Sequence, residues 1–440
     1  MRTGKLLITT TCVTIFLLMS SFAVQEIEGA FKKDMCVKQS FLFYPRTWVR
    51  TVGYGENVFY CVEQTKDGGY IAIGRTFSHR RGAYLVWLVK TDKNGKMLWD
   101  KKFGGGNPIG GSYKWNFGYS VQQTADGGYI IAGLTEYYGH GKFDLWLIKT
   151  DGNGNEEWNK TFGGKYTWEE GYCVQQTTDG GYIVVGCKYH RHDDADLWLV
   201  KTDSNGNEEW NKTFGGEGDD IGYCIQQTRY GGFIIVGSTE SYGHGNRDIW
   251  LIRIDDNGRE KWNRTFGGWR DEGGHWVQQT KDGGFVILGR KEGSDSIGTL
   301  IIKTDNLGNV VWSKTFEKEG WEIVGKAIHQ SIDGGYIIGG YTVKHLYLGG
   351  RVLLIKIDRK GNEEWNQTFK VKDYSRCYWV RQTKDGGYIL AGFAANVYSW
   401  PIDGGFSIDY YGLLIKTNRK GKVFAWRLKL FWNDLISVFT

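Results

Sequence analysis

One segment of about 15 residues recurs seven times along this chain of 440 residues. Its clearest copy, 119–133, returns nearly unchanged at 172–186 and 223–237. In the middle of each copy one residue is followed by Gly-Gly, and successive copies of that residue lie 51 to 59 positions apart. These residues are Asp67, Asp126, Asp179, Tyr230, Asp282, Asp333 and Asp385. A period of about 52 residues restricts the chain to an array of similar structural units.

Each repeat contains four segments with the alternation and turn chemistry of β-strands. In the fourth copy they are 222–228, 233–238, 248–255 and 261–266. Four-stranded units cannot bury both of their faces alone, so they must stack, and a ring of units has no exposed ends. The sequence therefore predicts an all-β fold, a seven-bladed β-propeller of four-stranded repeats. An open β-solenoid is the competing arrangement.

The ends of the array suggest how such a ring closes. Trp48–Val52 matches the fourth-strand pattern of 158–162, so an N-terminal strand would complete the last blade. Trp426 fits the same pattern and competes for that place. We expect the propeller to cover residues 48–427, with a linker before it at 24–47 and a tail at 428–440 that departs from the repeat.

The first residues have the pattern of an export signal. Arg2 and Lys5 precede an uncharged stretch from Leu6 to Gln25, and small residues follow as far as Ala23. This predicts a signal peptide of residues 1–23; the alternative is an uncleaved membrane anchor, because about 20 uncharged residues can just span a bilayer. In both cases the remainder is expected outside the cytoplasm, either secreted or extracellular and membrane-anchored.

Charge and cysteine content argue against several classes of protein. The 55 basic and 49 acidic residues are mixed along the chain, with a net charge of +6, so nucleic-acid binding is not indicated. Seven cysteines are too few for a disulfide framework in a chain of this length. Cys61, Cys173 and Cys224 share one repeat position, which favours buried packing over a metal or redox role.

The repeat resembles those of secreted β-propeller proteins with Asp-Gly-Gly turns, and its second half resembles quinoprotein-like and WD40-like propeller repeats. In the quinoprotein-like repeat an Asp, a Gly and a Trp mark one hairpin, as Asp203, Gly206 and Trp210 do here. The resemblance covers about residues 48–427 and implies a fold rather than an activity, since such propellers include enzymes, lectins and scaffolds. Quinoprotein enzymes typically have eight blades and often adjacent cysteines beside the cofactor. This chain has seven repeats and no Cys-Cys pair, so no cofactor is expected.

Two repeat positions carry the same residue in all seven copies. We interpret the glutamines as structural hydrogen-bonding groups, although a ring of amides could also bind a ligand in the channel. We interpret the glycines as allowing close packing of strands. The glutamines are Gln64, Gln123, Gln176, Gln227, Gln279, Gln330 and Gln382. The glycines are Gly74, Gly133, Gly186, Gly237, Gly289, Gly340 and Gly392.

The loops distinguish the two ends of the predicted ring. The first-to-second and third-to-fourth turns are short and uniform, whereas the second-to-third and fourth-to-first loops are long and varied, so we assign binding to this second, variable-loop face. Aromatic side chains beside carboxylates and amides, Trp115 among them, can stack on sugar rings or act as protein hot spots. The alternative is that the aromatics pack the loops and the acids cap backbone amides. The candidate binding residues are Glu169, Asp220, Glu272, Trp168, Trp269, His140 and His244.

No metal site is predicted. His190 and His192 with Asp193 and Asp194 form the densest potential set of ligands, but no further ligand follows at a diagnostic spacing for zinc. Turns such as 203–206 have their Gly fourth, where an EF-hand calcium loop requires it sixth.

These observations predict a non-catalytic extracellular binding or scaffold module that recognises a glycan or a protein. The main alternative is an enzyme with its site at the channel mouth, either a carbohydrate-active hydrolase or lyase or a quinoprotein-like oxidoreductase. Glu169, Asp220 and Glu272 fall on successive blades, so the paired carboxylates of a glycosidase are conceivable, but no catalytic residue can be singled out. A structural component of the cell envelope is the third alternative.

Overall fold

The structure is a computed structural model, which describes residues 47–53, 55–106, 113–189, 194–344, 349–399 and 406–423. The predicted signal peptide, nearly all of the predicted linker, Trp426 and the predicted tail lie outside the described residues. So do His190, His192 and Asp193.

The described residues form 28 β-strands and no helix, and we group the strands by fours into units 1 to 7. Unit 1 is β2 (Val58–Gln64), β3 (Tyr70–Ser78), β4 (Ala83–Thr91) and β5 (Met97–Phe103). Unit 2 is β6 (Asn116–Gln123), β7 (Tyr129–Thr135), β8 (Asp144–Thr150) and β9 (Glu156–Phe162). Unit 3 is β10 (Trp168–Gln176), β11 (Tyr182–Tyr189), β12 (Ala195–Thr202) and β13 (Glu208–Phe214). Unit 4 is β14 (Asp220–Gln227), β15 (Phe233–Thr239), β16 (Asp248–Ile254) and β17 (Glu260–Phe266).

The remaining units follow the same order. Unit 5 is β18 (Glu272–Gln279), β19 (Phe285–Glu292), β20 (Ile297–Thr304) and β21 (Val310–Phe316). Unit 6 is β22 (Trp321–Gln330), β23 (Tyr336–Lys344), β24 (Gly350–Ile357) and β25 (Glu363–Phe369). Unit 7 is β26 (Tyr374–Gln382), β27 (Tyr388–Ser399) and β28 (Phe406–Thr417), with β1 (Trp48–Val52) as its fourth strand.

Within each unit, neighbouring strands pair antiparallel. In the described part of the chain hydrogen bonding joins the strands into six sheets, because a single parallel pair, Ile297 with Glu322, links units 5 and 6. The first of the described strands completes the last unit: Trp48 pairs with Lys416, and Val52 pairs with Gly412. The prediction of an all-β fold made of repeated four-stranded sheets is confirmed, and the architecture is β-propeller-like. No helix with the length and hydrophobicity of a membrane span occurs among the described residues.

The recurring glycine allows the first two strands of each unit to approach closely. In unit 4 the first strand has a bulge between Gly222 and Cys224, and Gly237 lies opposite it on the second strand. A Cβ atom on Gly237 would lie 2.0 Å from the carbonyl oxygen of Ile221, a distance that no real contact allows. The predicted packing role of this glycine is confirmed.

The Asp-Gly-Gly turns are held by the aspartate side chain. Asp126 Oδ1 accepts hydrogen bonds from the Thr124 hydroxyl and, at 2.9 Å, from the Gly128 N–H, while Oδ2 lies 2.9 Å from Lys149 Nζ. Partial burial raises the pKa of Asp126, but the bonds from Thr124, Lys149 and Gly128 outweigh it and lower the pKa to about 2. The turn is therefore stabilised by the ionised aspartate.

Unit 4 has Tyr230 in place of the aspartate, and other side chains stabilise its turn. Arg253 replaces the lysine of the other units, and its guanidinium donates to the carbonyl oxygens of Gly231 at 2.6 Å and of Phe233 at 3.0 Å. The Gly232 N–H, which has lost its aspartate acceptor, donates instead to Asp256 Oδ1 at 2.6 Å.

The recurring glutamines connect adjacent units. Gln176 Oε1, in unit 3, accepts a hydrogen bond of 2.9 Å from the Ala125 N–H of unit 2. An equivalent bond joins each of the remaining five pairs of consecutive units. The N–H of Lys384 in unit 7 also donates to Gln64 in unit 1, at 2.9 Å. The structural interpretation of these glutamines is confirmed.

Apolar side chains of adjacent units pack together between the sheets. One cluster joins Val185 and Leu197 of unit 3 to Ile235 and Ile249 of unit 4 and to Ile287 of unit 5. The cysteines at the shared repeat position belong to this interior, where Cys61, Cys173 and Cys224 are buried free thiols, as their pattern indicated.

Candidate functional site

The three candidate acids are buried where adjacent units meet. Glu169 and Asp220 are fully buried, and Glu272 is 4% exposed. Each is the first or second residue of a first strand and lies close to an aspartate that is the first or second residue of the third strand of the preceding unit. The pairs are Asp144 with Glu169, Asp196 with Asp220, and Asp248 with Glu272. The sequence showed the acids at strand starts but not that their side chains point inward.

The close approach of these carboxylates is visible at the glycine beside each pair. A Cβ atom on Gly163 would lie 2.3 Å from Asp144 Oδ1 and 2.6 Å from Glu169 Oε2, so the two oxygens are less than about 5 Å apart. Burial raises the pKa of Glu169; Lys188, 3.7 Å away, lowers it, and the charge of Asp144 raises it further. The net pKa of Glu169 is raised.

The pair formed by Asp248 of unit 4 and Glu272 of unit 5 also has raised pKa values. Burial raises the pKa of Asp248, whose Oδ1 is buried and accepts no hydrogen bond. Burial also raises the pKa of Glu272, against a hydrogen bond of 3.2 Å from the Gly268 N–H. These acids favour the protonated form more than free carboxylic acids do.

At the repeat position of these acids, unit 2 has Asn116, whose side-chain amide is uncharged. The Asn116 side-chain amide donates to the carbonyl oxygens of Tyr84 at 2.9 Å and Gly105 at 3.1 Å, and its oxygen accepts from the Thr135 hydroxyl at 2.7 Å. The position is thus structural in unit 2.

The two candidate histidines occupy matching loops. The backbone N–H groups of His140 and His244 donate to Oδ2 of Asp144 and Asp248, respectively, and both histidines are exposed. Trp269 is 90% exposed, the most of any large apolar side chain described. Trp168 is half-buried and does not lie with Trp269; it lines a separate cavity.

That cavity, which we call the aromatic cavity, lies between units 2 and 3 and has a volume of about 320 Å³. The ring centroids of Phe143 and Trp168 are 4.8 Å apart, and those of Phe143 and Trp115 are 6.3 Å apart. Lys142 Nζ lies 5.1 Å from the centroid of Trp168, within the range of a cation–π contact. Its lining is Tyr113, Trp115, Phe117, Tyr119, Leu134, Glu136, Lys142, Phe143, Trp168 and Glu170.

Glu170 was not among the residues predicted from the sequence. It is buried at the inner wall of the aromatic cavity, and the Tyr119 hydroxyl donates to it at 3.4 Å. Burial raises the pKa of Glu170, against the lowering effect of polar neighbours that include the Tyr119 hydroxyl. Its neighbour Glu169 attracted the prediction because equivalent repeats also have an acid there, whereas Glu170 has no acidic counterpart.

A second cavity of about 360 Å³, the central cavity, is lined by ten residues, seven of which come from one repeat position in the first strand of each unit. Adjacent side chains are in ring contact, with centroids 5.3 Å apart for Tyr60 and Tyr119 and 5.4 Å apart for Tyr119 and Tyr172. The seven residues are Tyr60, Tyr119, Tyr172, Tyr223, His275, Lys326 and Tyr378. The sequence contains the evidence for this ring, since one repeat position holds tyrosine in five of seven copies.

Comparison with known proteins leaves the activity open. No family model matches the chain, and no curated protein sequence is similar to it. Similar solved structures include a puromycin hydrolase, with 12% identity and a TM-score of 0.49 over 80% of this chain and 53% of the hydrolase. They also include a glucose dehydrogenase, with 11% identity and a TM-score of 0.39 over 68% of this chain and 96% of the other. The core factor of S. cerevisiae has 9% identity and a TM-score of 0.43 over 89% of this chain and 67% of the other.

The chain thus spans about half the length of the puromycin hydrolase that it matches. With TM-scores below 0.5 these similarities support no conclusion about activity. The β-propeller-like fold rests on the strands of the chain itself.

Proposed function

We propose that this protein is an exported, closed seven-bladed β-propeller that binds a glycan, without turnover, in the aromatic cavity. Three contacts support closure: β1 pairs with β28, the Lys384 N–H donates to Gln64, and the rings of Tyr60 and Tyr378 are 5.6 Å apart. Each joins unit 7 to a residue near the start of the repeats. Export rests on the pattern of the first 23 residues.

The aromatic cavity is the observation that carries the glycan proposal. Trp115 is 45% exposed and Tyr113 is 63% exposed, so their rings are open to a ligand. Aromatic faces stack on the apolar faces of sugars, and Trp168 extends that surface inward. The cavity volume of about 320 Å³ is at the lower end of the range for small-molecule sites.

Charged groups at the rim can bind sugar hydroxyls. Glu136 accepts hydrogen bonds from Lys114 Nζ at 3.0 Å and from the Trp115 N–H at 3.2 Å, which fixes its carboxylate next to the exposed indole. Lys142 contributes a donor on the other side of Trp168. Glu136 is held by a lysine, and the three predicted acids are buried at unit contacts outside the cavity lining, so none of those three is placed to act on a glycan bound there.

The test is titration calorimetry of the full chain against a panel of neutral and acidic oligosaccharides. For a glycan that binds, Trp115→Ala and Trp168→Ala should each weaken affinity at least tenfold, because each removes a stacking surface. Trp269→Ala is the matched control, an exposed tryptophan outside the cavity lining, and should leave affinity unchanged. Circular dichroism of each variant checks that it is folded.

Three results would contradict the proposal. If Trp269→Ala abolishes binding while the other two variants bind normally, the ligand occupies the exposed loops near Trp269. If glycans are cleaved, the protein is an enzyme. If no glycan binds and the chain assembles with rising concentration, the envelope alternative gains support.

A further inference from the structure

The central cavity departs from the repeat in one sector. Units 1 to 4 and unit 7 place tyrosine in the ring, whereas units 5 and 6 place His275 and Lys326 there. The next residue along each first strand is Cys, Ser or Ala in five units but is Trp276 in unit 5 and Trp379 in unit 7. The two indoles meet edge to face, with centroids 4.5 Å apart, and line the cavity beside the ring. Units 5 to 7 therefore build one wall that differs from the others.

This wall has positive charge without a balancing acid. Lys326 faces the cavity and forms no ion pair with any described residue. Burial, and then the charges of Arg290 and Arg376, lower the pKa of Lys326 to about 8, so the ammonium group remains largely protonated at neutral pH. Glu170 lies across the ring, on the side of Tyr119 and Tyr172.

The wall is also rich in hydrogen-bond donors that have no acceptor. The indole N–H groups of Trp276 and Trp379 are buried and donate to nothing in the described part of the chain. His275 Nε2 is likewise without a partner, and burial followed by the charge of Lys326 keeps the pKa of this histidine far below its usual value. Burial raises the pKa of Tyr60 and Tyr223, so their hydroxyls remain donors at neutral pH. Buried groups such as the two indole N–H groups and His275 Nε2 normally have partners.

We propose that the central cavity binds a small oxyanion, a phosphate, sulfate or carboxylate group, through Lys326 and the donors around it. An anion there would supply both the missing countercharge and the missing acceptors. The site is separate from the aromatic cavity and does not depend on glycan binding there.

The other units indicate which substitution the position of Lys326 can accept. Lys326→Tyr installs the residue that five other units have at this position, so the ring can accept it. Lys326→Met removes the charge with little change in length and serves as a second variant in case the tyrosine crowds the cavity. Lys318→Met, at an exposed lysine in the loop before β22, is the control.

The experiment measures the Tm of the full chain, and the affinity by calorimetry, with inorganic phosphate, sulfate or acetate at constant ionic strength set with chloride. We expect at least one oxyanion to raise the Tm of the wild type and of Lys318→Met by a few degrees near saturation. The shift should disappear in both Lys326 variants, with affinity at least tenfold weaker. A response to phosphate and sulfate alone indicates a tetrahedral ligand, and a response to acetate as well indicates a carboxylate.

Two results would overturn the proposal: no oxyanion raises the Tm above its value in chloride, or the shift persists in Lys326→Met. Neutral oligosaccharides titrated into the same samples report on the aromatic cavity independently, so failure of one site is distinguishable from failure of the other.

Discussion

The backbone N–H of Lys384 donates to the side-chain oxygen of Gln64 at 2.9 Å, although 320 positions separate the two residues. Gln176 makes the same bond to Ala125 at 2.9 Å, in the interior of the array. Both glutamines also donate from Nε2 to the carbonyl oxygen of the glycine four residues on, at 3.4 Å. The two side chains therefore make the same two hydrogen bonds at different places in the array.

This match gives a test of ring closure. In a closed ring Gln64→Ala and Gln176→Ala should destabilise the protein equally, by about 1 kcal/mol each, the usual net value of such a hydrogen bond. Urea unfolding monitored by tryptophan fluorescence measures both. In an open array Gln64 would belong to a free end, and its substitution would cost clearly less than that of Gln176.

Gly237→Ala should destabilise the protein by about 2 to 4 kcal/mol, because the new methyl group would collide with the carbonyl oxygen of Ile221. Gly268→Ala is the control, since a Cβ atom there has nothing within 4 Å. We expect Gly268→Ala to stay within about 0.5 kcal/mol of the wild type in the same urea experiment. Equal effects of the two substitutions would contradict the packing role of the recurring glycine.

Asp126→Asn should cost about 1 kcal/mol at pH 7, a modest value because solvent screens the exposed side of the ion pair with Lys149. The pKa of Asp126 is lowered to about 2, so its contribution is complete above the unfolded pKa of about 4 and is lost as the pH falls through 2. Unfolding free energies of wild type and variant should therefore converge near pH 2. Glu217→Gln, at an exposed carboxylate, should show no such convergence.

The buried carboxylates predict the opposite dependence on pH. Because the pKa of Glu272 is raised in the folded state, its contribution to stability is present below the unfolded pKa of about 4.3 and is lost as the pH rises through the folded pKa. Glu272→Gln removes this loss, so the variant should gain stability over the wild type as the pH rises from about 4.3 towards neutrality. Urea unfolding across that range tests it, with Glu319→Gln as an exposed control. A variant less stable than the wild type at pH 7 would show that the ionised pair is neutralised by another group.

The repeated sheets were predictable because the sequence features that determine them lie close together in the chain. Asp-Gly-Gly turns and alternating apolar residues fix each hairpin within a few positions, and β1 could be assigned to the last unit because its sequence matches a fourth strand. The burial of Glu169 was not predictable, because it depends on Asp144 and Gly163, which belong to a neighbouring unit. Pairing across units leaves no periodic pattern in the sequence.

The cavities were also not predictable from the sequence, because they depend on packing between units. Trp115 and Trp168 were each recognisable as loop aromatics, but only packing of unit 2 on unit 3 brings them to one cavity. In the sequence Lys326 differs from the tyrosines at the same repeat position only as a single substitution. Its lowered pKa depends also on Arg290 and Arg376, which lie on other strands.

The pairing of β1 with β28 has a consequence for synthesis of the chain. A ribosome makes Trp48 before units 1 to 6, yet its partner Lys416 emerges only after all six of them. Until then units 1 to 6 can each form their own hairpins, whereas the outer edge of β28 does not yet exist and β1 has nothing to pair with. Of the described strands, the earliest made and the latest made thus pair with each other last, and a ribosome that stalls within unit 7 would leave β1 without its partner.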